Sequence, residues 1–193
     1  MSKKPIILVP NQLLRAKSKD VSFDKKLEDL VTALRDTLFA KTDPQGVGLS
    51  APQIGKNANV FVTWLAKNLE DDPTASDLKV FINPQIVDHS KETTYGADAD
   101  DPILEGCLSI PGIYGPVPRW EWVKIEYSTL ETVEGGKKIV EKYSDFDARV
   151  IQHEYDHLQG VLFTDYSLKM DLPIYEFVGK KMKEVSKDIV KVF

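Results

Sequence analysis

Hydrophobic residues recur every three or four positions in three stretches of this chain, and that spacing predicts three amphipathic helices. The first stretch runs from Ser22 to Lys41, with an N-terminal cap at Ser22 or Asp24. The second begins near Asp145 or Asp147, and Gly160 supplies the left-handed residue that commonly ends a helix. The third covers residues 171–193 and has lysines opposite its hydrophobic side. We therefore expect one helix near each end of the chain and one between them.

Short runs rich in β-branched and aromatic residues predict strands between the helices. These runs are Ala58–Leu65, Lys79–Val87, and a hairpin of Trp120–Leu130 and Lys137–Ser144 around a turn at residues 134–136. The first hydrophobic run, Ile6–Pro10, is expected to be an edge strand, and Val161–Phe163 is expected to be extended. Pro84 interrupts the second run, and a proline within a strand indicates an edge or a bulge. The elements together predict an α+β fold, with mixed, mainly antiparallel sheets packed around a central helix, an N-terminal helix and a C-terminal helix.

Composition narrows the class of protein. The chain has 193 residues, 42% of them hydrophobic, which suits a single domain over residues 1–193 with a sizeable core. Its formal net charge of -5 argues against direct readout of nucleic acid. No hydrophobic run reaches the roughly 20 residues that span a bilayer, so no membrane association is expected. The first hydrophobic run is too short for a secretory signal, and a cytoplasmic location is expected.

The second predicted helix carries a pattern with chemical meaning, Gln152-His153-Glu154-Tyr155-Asp156-His157. Residues four apart share one face of a helix, so His153 and His157 can direct two imidazoles at one metal ion. Glu154 lies beside the first ligand, where its carboxylate can reach a water molecule without binding the ion. This His-Glu-x-x-His arrangement is typical of metal-dependent hydrolases.

A catalytic site of this kind needs a third protein ligand. One protease pattern requires a histidine where this chain has Phe163, which excludes that class. A second takes a glutamate from a later helix, and Glu176 in the predicted C-terminal helix could serve. Cys107, the only cysteine of the chain, is a third source, because a thiolate on an extended segment can bind a metal. His89 lies in a polar turn and is expected to be a solvated loop residue.

One further segment is unusual because it is rich in glycine and other small residues: Gly46-Val47-Gly48-Leu49-Ser50-Ala51-Pro52-Gln53. It lacks the ending of a phosphate-binding loop and the flanking elements of a dinucleotide-binding turn. A tight loop is the plain interpretation. Its Gln53 side chain could donate a hydrogen bond to a substrate carbonyl. A zinc endopeptidase that uses Glu176 and a non-catalytic, metal-stabilised binding module both remain alternatives at this point.

Three segments, Gly46–Gln53, Glu105-Gly106-Cys107-Leu108-Ser109 and Gln152–His157, resemble the three motifs of peptide deformylases in the same order. The resemblance implies a metal-dependent hydrolase that removes the N-formyl group from the initiator methionine of newly made polypeptides and releases formate. It also implies that Cys107, His153 and His157 hold the metal. Ser50 stands where the family usually has alanine, and we expect this small-for-small difference to matter little.

The remaining roles follow from the same resemblance. Glu154 would take the proton of the attacking water and pass it to the leaving amine, while the Gln53 side chain and the Leu108 backbone amide would stabilise the charged oxygen. Substrate contacts are expected at Val47, Gly48 and Gly106, with Phe146 and Val150 beside the methionine side chain. Separately, the residues suggest an ion pair between Asp156 and Arg119 that steadies the helix against the preceding strand.

The expected cofactor is one divalent metal ion per chain. Two imidazoles and a thiolate suit several metals, so the ligand set alone does not identify the ion. The resemblance favours Fe²⁺ in the cell, with Zn²⁺ or Ni²⁺ as alternatives. The expected partners are N-formylmethionyl nascent peptides. The lysine face of the predicted C-terminal helix suggests transient contact with the ribosome, although a solvated packing helix explains the same pattern.

Overall fold

The computed structural model describes residues 2–66, 71–96, 102–131, 138–179 and 181–193. Its helices are α1 (Lys25–Phe39), α2 (Asp145–Leu158) and α3 (Phe163–Met170). Its strands are β1 (Gly48–Ser50), β2 (Val60–Trp64), β3 (Leu78–His89), β4 (Thr93–Thr94), β5 (Leu104–Cys107), β6 (Ile110–Pro116), β7 (Arg119–Trp120), β8 (Trp122–Ser128), β9 (Ile139–Ser144), β10 (Ile174–Val178) and β11 (Lys181–Val185). The α+β class predicted from the sequence is confirmed.

The strands form three sheets in which each described pair is antiparallel. The largest has the order β1-β2-β3-β8-β9, and a second has the order β11-β10-β6-β5. A short pair, β4 and β7, forms the third. Both β1 and β5 are therefore edge strands, and each carries one of the motifs singled out above. The predicted hairpin is confirmed as β8 and β9, while its turn at residues 134–136 lies outside the described residues.

Helix α2 packs its hydrophobic side against the large sheet. Its residues Ala148, Ile151 and Leu158 are buried against Phe61, Phe81, Val123 and Ile125 of the large sheet. A second cluster joins Cys107 and Ile110 to the start of α3 and to β10. Helix α1 covers β1 and β2 through a third cluster. Burial of the hydrophobic side of α2 fixes this helix on the large sheet, and His153 of α2 contacts Glu105 of β5 in the second sheet.

Several local predictions are confirmed for physical reasons that the structure makes explicit. Asp24 caps α1, because its carboxylate accepts a hydrogen bond from Leu27 N at 3.0 Å. Helix α2 begins at Asp145, and Gly160 follows it with a φ of 75°. Pro84 lies in β3, a central strand, where the pairing register shifts between Ile82 and Gln85. Of the two outcomes expected for that proline, the structure has the bulge.

The C-terminal helix predicted for residues 171–193 is wrong. This segment forms the hairpin of β10 and β11, followed by a short 3₁₀ turn at Lys187–Val190. Gly179 lies at the hairpin turn with a φ of 64°, a conformation that favours glycine. The prediction of extended structure through Phe163 is also wrong, because α3 begins there. The Asp165 carboxylate accepts a hydrogen bond from Leu162 N at 2.9 Å and so stabilises the first turn of α3.

The first hydrophobic run, predicted as an edge strand, is an extended segment outside the sheets. Ile7 N donates to the carbonyl oxygen of Gln53 at 2.9 Å, and Val9 N donates to that of Ser109 at 3.1 Å. The segment therefore bridges two of the motifs. Among the described residues, no helix is long and hydrophobic enough to cross a membrane.

Candidate metal centre

Three ligand atoms converge beside α2. His153 and His157 are four residues apart on the helix, and Cys107 is the last residue of β5. The two imidazoles and the thiol each offer one atom, and these atoms lie within 4.8 Å of one another. The distance from Cys107 Sγ to His157 Nε2 is 3.2 Å. Spacing of this kind suits three ligands of a single ion.

The Cys107 sulfur lies within hydrogen-bonding distance of two N–H groups. The pairing register shifts between Gly106 and Cys107, and the Cys107 sulfur contacts His157 of α2. Gln53 Nε2 lies 3.5 Å from the sulfur and Ser109 N lies 3.4 Å from it, both as donors. A deprotonated thiol is the form that binds a metal.

The imidazole of His153 is oriented by a buried carboxylate. Its Nδ1 lies 3.0 Å from Glu105 Oε2, which leaves Nε2 directed at the cluster. Such contacts behind a ligand set its tautomer and its direction. The other histidine differs, because within the described part of the chain His157 Nδ1 has no hydrogen-bond partner.

Glu105 is shared by several cations. Arg119 contacts both of its oxygens at 2.8 Å, and Arg149 NH1 contacts Oε1 at 2.9 Å. Burial alone raises the pKa of the Glu105 carboxyl, but the charge and hydrogen bonds of Arg119 outweigh burial and hold the pKa well below its ordinary range. Glu105 is therefore a charged group inside the protein that links β5, β7 and α2.

The ion pair predicted between Arg119 and Asp156 is confirmed. Arg119 NH1 lies 2.5 Å from Asp156 Oδ2, and the Tyr166 hydroxyl donates to the same oxygen at 3.0 Å. Arg119 thus binds Glu105 with one part of its guanidinium and Asp156 with another. Because Asp156 is on α2 and Arg119 is on β7, the pair fastens the helix to that strand.

Glu154 is buried beside the ligands without being one of the three. It is 3% exposed, and its Oε2 has no hydrogen-bond partner among the residues described. Burial raises the pKa of its carboxyl to about 7. A side chain at Gly48 would lie within 2.5 Å of Glu154 Oε1, so the absence of a side chain there makes room for the carboxylate. A carboxyl in this state can accept and release a proton near neutral pH.

The donor set fits a divalent transition metal. Two imidazoles and one thiolate are borderline and soft ligands, which suit iron, zinc, nickel and cobalt better than calcium or magnesium. Three protein ligands leave room for water or substrate, as catalytic sites require. Glu154 Oε2, which is buried and has no hydrogen-bond partner in the described part of the chain, adds a proton acceptor at the same cavity as Cys107 and His153.

A cavity of about 420 Å³ opens beside the ligand cluster. It is lined by two of the predicted metal ligands, Cys107 and His153, and by all the other predicted site residues: Val47, Gly48, Gln53, Gly106, Leu108, Phe146, Val150 and Glu154. His157 lies behind this wall. Four further residues that no motif in the sequence marks also line the cavity: Ile103, Ile113, Tyr114 and Arg149. The β5–β6 pairing sets Tyr114 opposite Gly106, and no spacing in the sequence signals that contact.

Glu176, the alternative third ligand, does not join the cluster. It is exposed on β10 and pairs across the hairpin with Lys183. His89 is exposed at the end of β3 and stacks on Trp120 at 3.7 Å between ring centroids. The cluster of Cys107 with the two histidines is the group of potential metal ligands found in the described ranges.

Comparison with known proteins decides the family. The model of the family described as polypeptide deformylase matches residues 3–172. The chain belongs to the polypeptide deformylase family. The peptide deformylase of Christiangramia forsetii is 38% identical over 199 aligned residues, covering 97% of this chain and 92% of that protein. The chloroplastic/mitochondrial peptide deformylase 1B of Arabidopsis thaliana is 40% identical over 161 residues, covering 83% of this chain and 52% of that protein.

A solved structure agrees with these sequence relatives. The crystal structure of peptide deformylase from Thermotoga maritima has a TM-score of 0.69 and 30% sequence identity, covering 85% of this chain and 97% of that one. The chain is therefore a metal-dependent hydrolase that removes the N-formyl group from newly made polypeptides. The resemblance inferred from the three motifs is confirmed, and the endopeptidase alternative is not favoured.

Proposed function

We propose that Cys107, His153 and His157 hold the catalytic metal and that the cavity beside them receives the formylated methionine. The observation that carries this proposal is the convergence of the three ligand atoms within 4.8 Å of one another, at the edge of the cavity. When bound, the ion supplies Lewis-acid chemistry, polarising a carbonyl and lowering the pKa of water. Each remaining step belongs to side chains and backbone groups of the chain itself.

Glu154 is the general base and then the general acid. Its carboxylate takes a proton from the attacking water and later gives it to the departing amine of the methionine. The burial of Glu154 supports this role. Burial raises the pKa of its carboxyl to about 7, so both the protonated and the deprotonated form are accessible near neutral pH. No described residue bonds to Oε2 of Glu154, so this oxygen can take the proton.

The oxygen of the formyl group gains negative charge as its carbon becomes tetrahedral. Gln53 Nε2 and the backbone N–H of Leu108 are the donors that stabilise it. The position of Gln53 supports this role, since its amide nitrogen lies 3.5 Å from Cys107 Sγ and so faces the ligand cluster. Leu108 lies in the turn between β5 and β6 and lines the same cavity.

The peptide backbone lies along the free strand edges. Gly48 is on β1 and Gly106 is on β5, and both strands end their sheets next to the cavity. An extended peptide added to such an edge is held by main-chain hydrogen bonds, which makes recognition largely independent of sequence after methionine. The methionine side chain occupies the hydrophobic part of the cavity formed by Val47, Phe146 and Val150.

Fe²⁺ is the working metal in this proposal, with Zn²⁺ or Ni²⁺ able to replace it. The mixed imidazole and thiolate set supports a choice among these ions. Iron with a thiolate ligand is sensitive to oxygen, so activity of the iron-loaded protein should fall faster in air than under anaerobic conditions. Equal decay of the iron-loaded and zinc-loaded proteins in air would contradict iron as the working metal.

We further propose that residues 1–193 act as one catalytic domain in the cytoplasm and meet nascent chains at the ribosome. The relative from Arabidopsis carries the label chloroplastic/mitochondrial, so location varies among similar proteins. The segment predicted as a lysine-bearing C-terminal helix is a hairpin, so the support for ribosome contact is the substrate itself, the newly made polypeptide. Co-sedimentation of the chain with ribosomes that carry nascent peptides tests this contact directly.

Substitution of the base tests the proposed mechanism. Glu154→Ala should keep its metal, while release of formate from formyl-Met-peptide falls by orders of magnitude. Glu176→Ala is the matched control, because it removes an exposed glutamate on β10 and should change neither quantity. Unchanged turnover in Glu154→Ala would refute the role of this residue.

A further inference from the structure

Ser50 lies next to the amide group that the proposed mechanism needs. It ends β1 and is fully buried. Its backbone N–H donates to Gln53 Oε1 at 2.8 Å, and its hydroxyl donates to the same oxygen at 2.9 Å. The Gln53 side chain is itself 1% exposed, so water does not compete for these bonds. One oxygen therefore receives two donors from one residue.

These two bonds decide which end of the Gln53 amide faces the site. A side-chain amide can rotate by half a turn and exchange its oxygen and nitrogen positions. The Ser50 N–H can only donate, so the atom that faces it must be the oxygen. Nε2 is then left on the opposite side, 3.5 Å from Cys107 Sγ. In the reversed orientation, Gln53 would present an oxygen to the developing negative charge.

The hydroxyl adds to what the backbone already does. Alanine at position 50 would keep the backbone N–H but lose the second donor to Oε1. Two donors on one amide oxygen restrict its orientation more tightly and polarise the amide, which strengthens Nε2 as a donor. The Ser50 hydroxyl therefore contacts Gln53, and Ser50 is not among the residues that line the cavity.

We propose that the Ser50 hydroxyl is a positioning group for the oxyanion donor: it holds the Gln53 amide with Nε2 toward the reacting formyl oxygen. This inference rests on the proposed role of Gln53. It revises our expectation that serine instead of alanine at this position matters little. Ser50 acts through Gln53 and does not contact substrate.

The first test compares Ser50→Ala with wild type. Loss of one buried neutral hydrogen bond should lower kcat for formyl-Met-peptide by about three- to tenfold, with KM and metal content unchanged. Thr37→Val is the control, because it removes a buried hydroxyl that donates to Ala33 O at 2.6 Å within α1. It should leave kcat unchanged. Wild-type kcat in Ser50→Ala would overturn the inference.

A double-mutant cycle separates positioning from a general structural effect. If Ser50 acts through Gln53, the loss caused by Ser50→Ala should disappear in a Gln53→Ala background. An equal fold-loss in both backgrounds would overturn the inference, because Ser50 would then act on something else. An equal loss would leave the proposed deformylase function intact.

A spectroscopic measurement does not depend on turnover. In zinc-loaded protein labelled with ¹⁵N at glutamine, Ser50→Ala should shift the side-chain amide resonances of Gln53. The Gln152 amide is an internal reference, because Trp120 fixes it through backbone bonds of 3.0 and 2.9 Å. Its resonances should stay in place. Unshifted Gln53 signals would overturn the inference, whereas a wild-type chain that releases no formate would instead overturn the proposed function.

Discussion

Removal of the Arg119 side chain should destabilise the protein strongly. Arg119 is 3% exposed and holds Glu105, which is 5% exposed, through two bonds of 2.8 Å. Its remaining nitrogen binds Asp156 at 2.5 Å, and its guanidinium lies 5.0 Å from the Tyr166 ring. In Arg119→Met, a similar volume remains, but a buried carboxylate loses its main partner.

The loss of stability in Arg119→Met depends on which partners Glu105 still has. Loss of one partner from a buried ion pair costs about 3–5 kcal/mol, because the other charge stays buried without compensation. Arg149 and His153 still contact Glu105, so we expect the lower end, about 3 kcal/mol. The matched control is Arg35→Met, where the ion pair with Asp36 is 45% and 23% exposed and about 1 kcal/mol or less is expected.

Urea unfolding of the metal-free proteins at neutral pH measures both values, since bound metal would add its own stabilisation. The two variants should differ by about 2 kcal/mol or more in free energy of unfolding, with similar slopes. Equal losses in Arg119→Met and Arg35→Met would refute the claim that a buried charge network supports the metal helix.

Three further changes test other contacts. Gly48→Ala puts a methyl group 2.5 Å from Glu154 Oε1, so the carboxylate must move. We expect kcat, measured by formate release, to fall about 10–100-fold. Circular dichroism should show that the variant is still folded. Asp156→Ala should cost about 1.5–3 kcal/mol in urea unfolding yet keep its metal, and the reverse ordering would contradict a structural role. Hydrogen bonds from Ser2, followed by those of the neighbouring arginine, lower the pKa of Asp36 to about 2. Its stabilisation is present above pH about 3.9 and is lost as the pH falls toward 2. Ser2→Ala should raise that pKa in an NMR titration, and an unchanged value would show that the contact is absent in solution.

The sequence was most informative where chemistry and local periodicity agree. On α2, four-residue spacing predicts both the shared face of the two histidines and the helix itself, and the structure has both. Asp24 and Gly160 are end signals that act through neighbouring backbone groups, so they too could be recognised. The motif around Cys107 indicated a ligand, but the register shift in β5 beside this cysteine had no signal in the sequence.

The C-terminal segment shows why periodicity alone was insufficient. Ile174, Val178 and Val185 fit a helical spacing, yet in the hairpin Ile174 pairs with Val185 and Phe177 pairs with Met182. A short hairpin folded at Gly179 brings together the same residues that a helix face would. The glycine was a turn signal, since it disfavours a helix interior. Docking of β10 on β6 then settles the conformation, and that partner lies about 60 residues earlier in the chain.

Contacts between distant segments could not be predicted from spacing. Glu105 joins Arg119, Arg149 and His153 only after three elements have packed together. The orientation of the Gln53 amide likewise depends on Ser50, whose hydroxyl we expected to matter little. The partners of Glu105 and Gln53 depend on which side chains meet in three dimensions. The metal ligands, in contrast, belong to motifs that can be recognised in the sequence.

The identity of the third ligand is the central claim, and one experiment addresses it most directly. Formate release from formyl-Met-peptide and metal content are measured on the same samples of wild type, Cys107→Ser and Glu176→Ala. Wild type and Glu176→Ala should bind one metal per chain and release formate, whereas Cys107→Ser should lose both. Retention of metal and activity without the thiol of Cys107, or their loss in Glu176→Ala, would contradict the account.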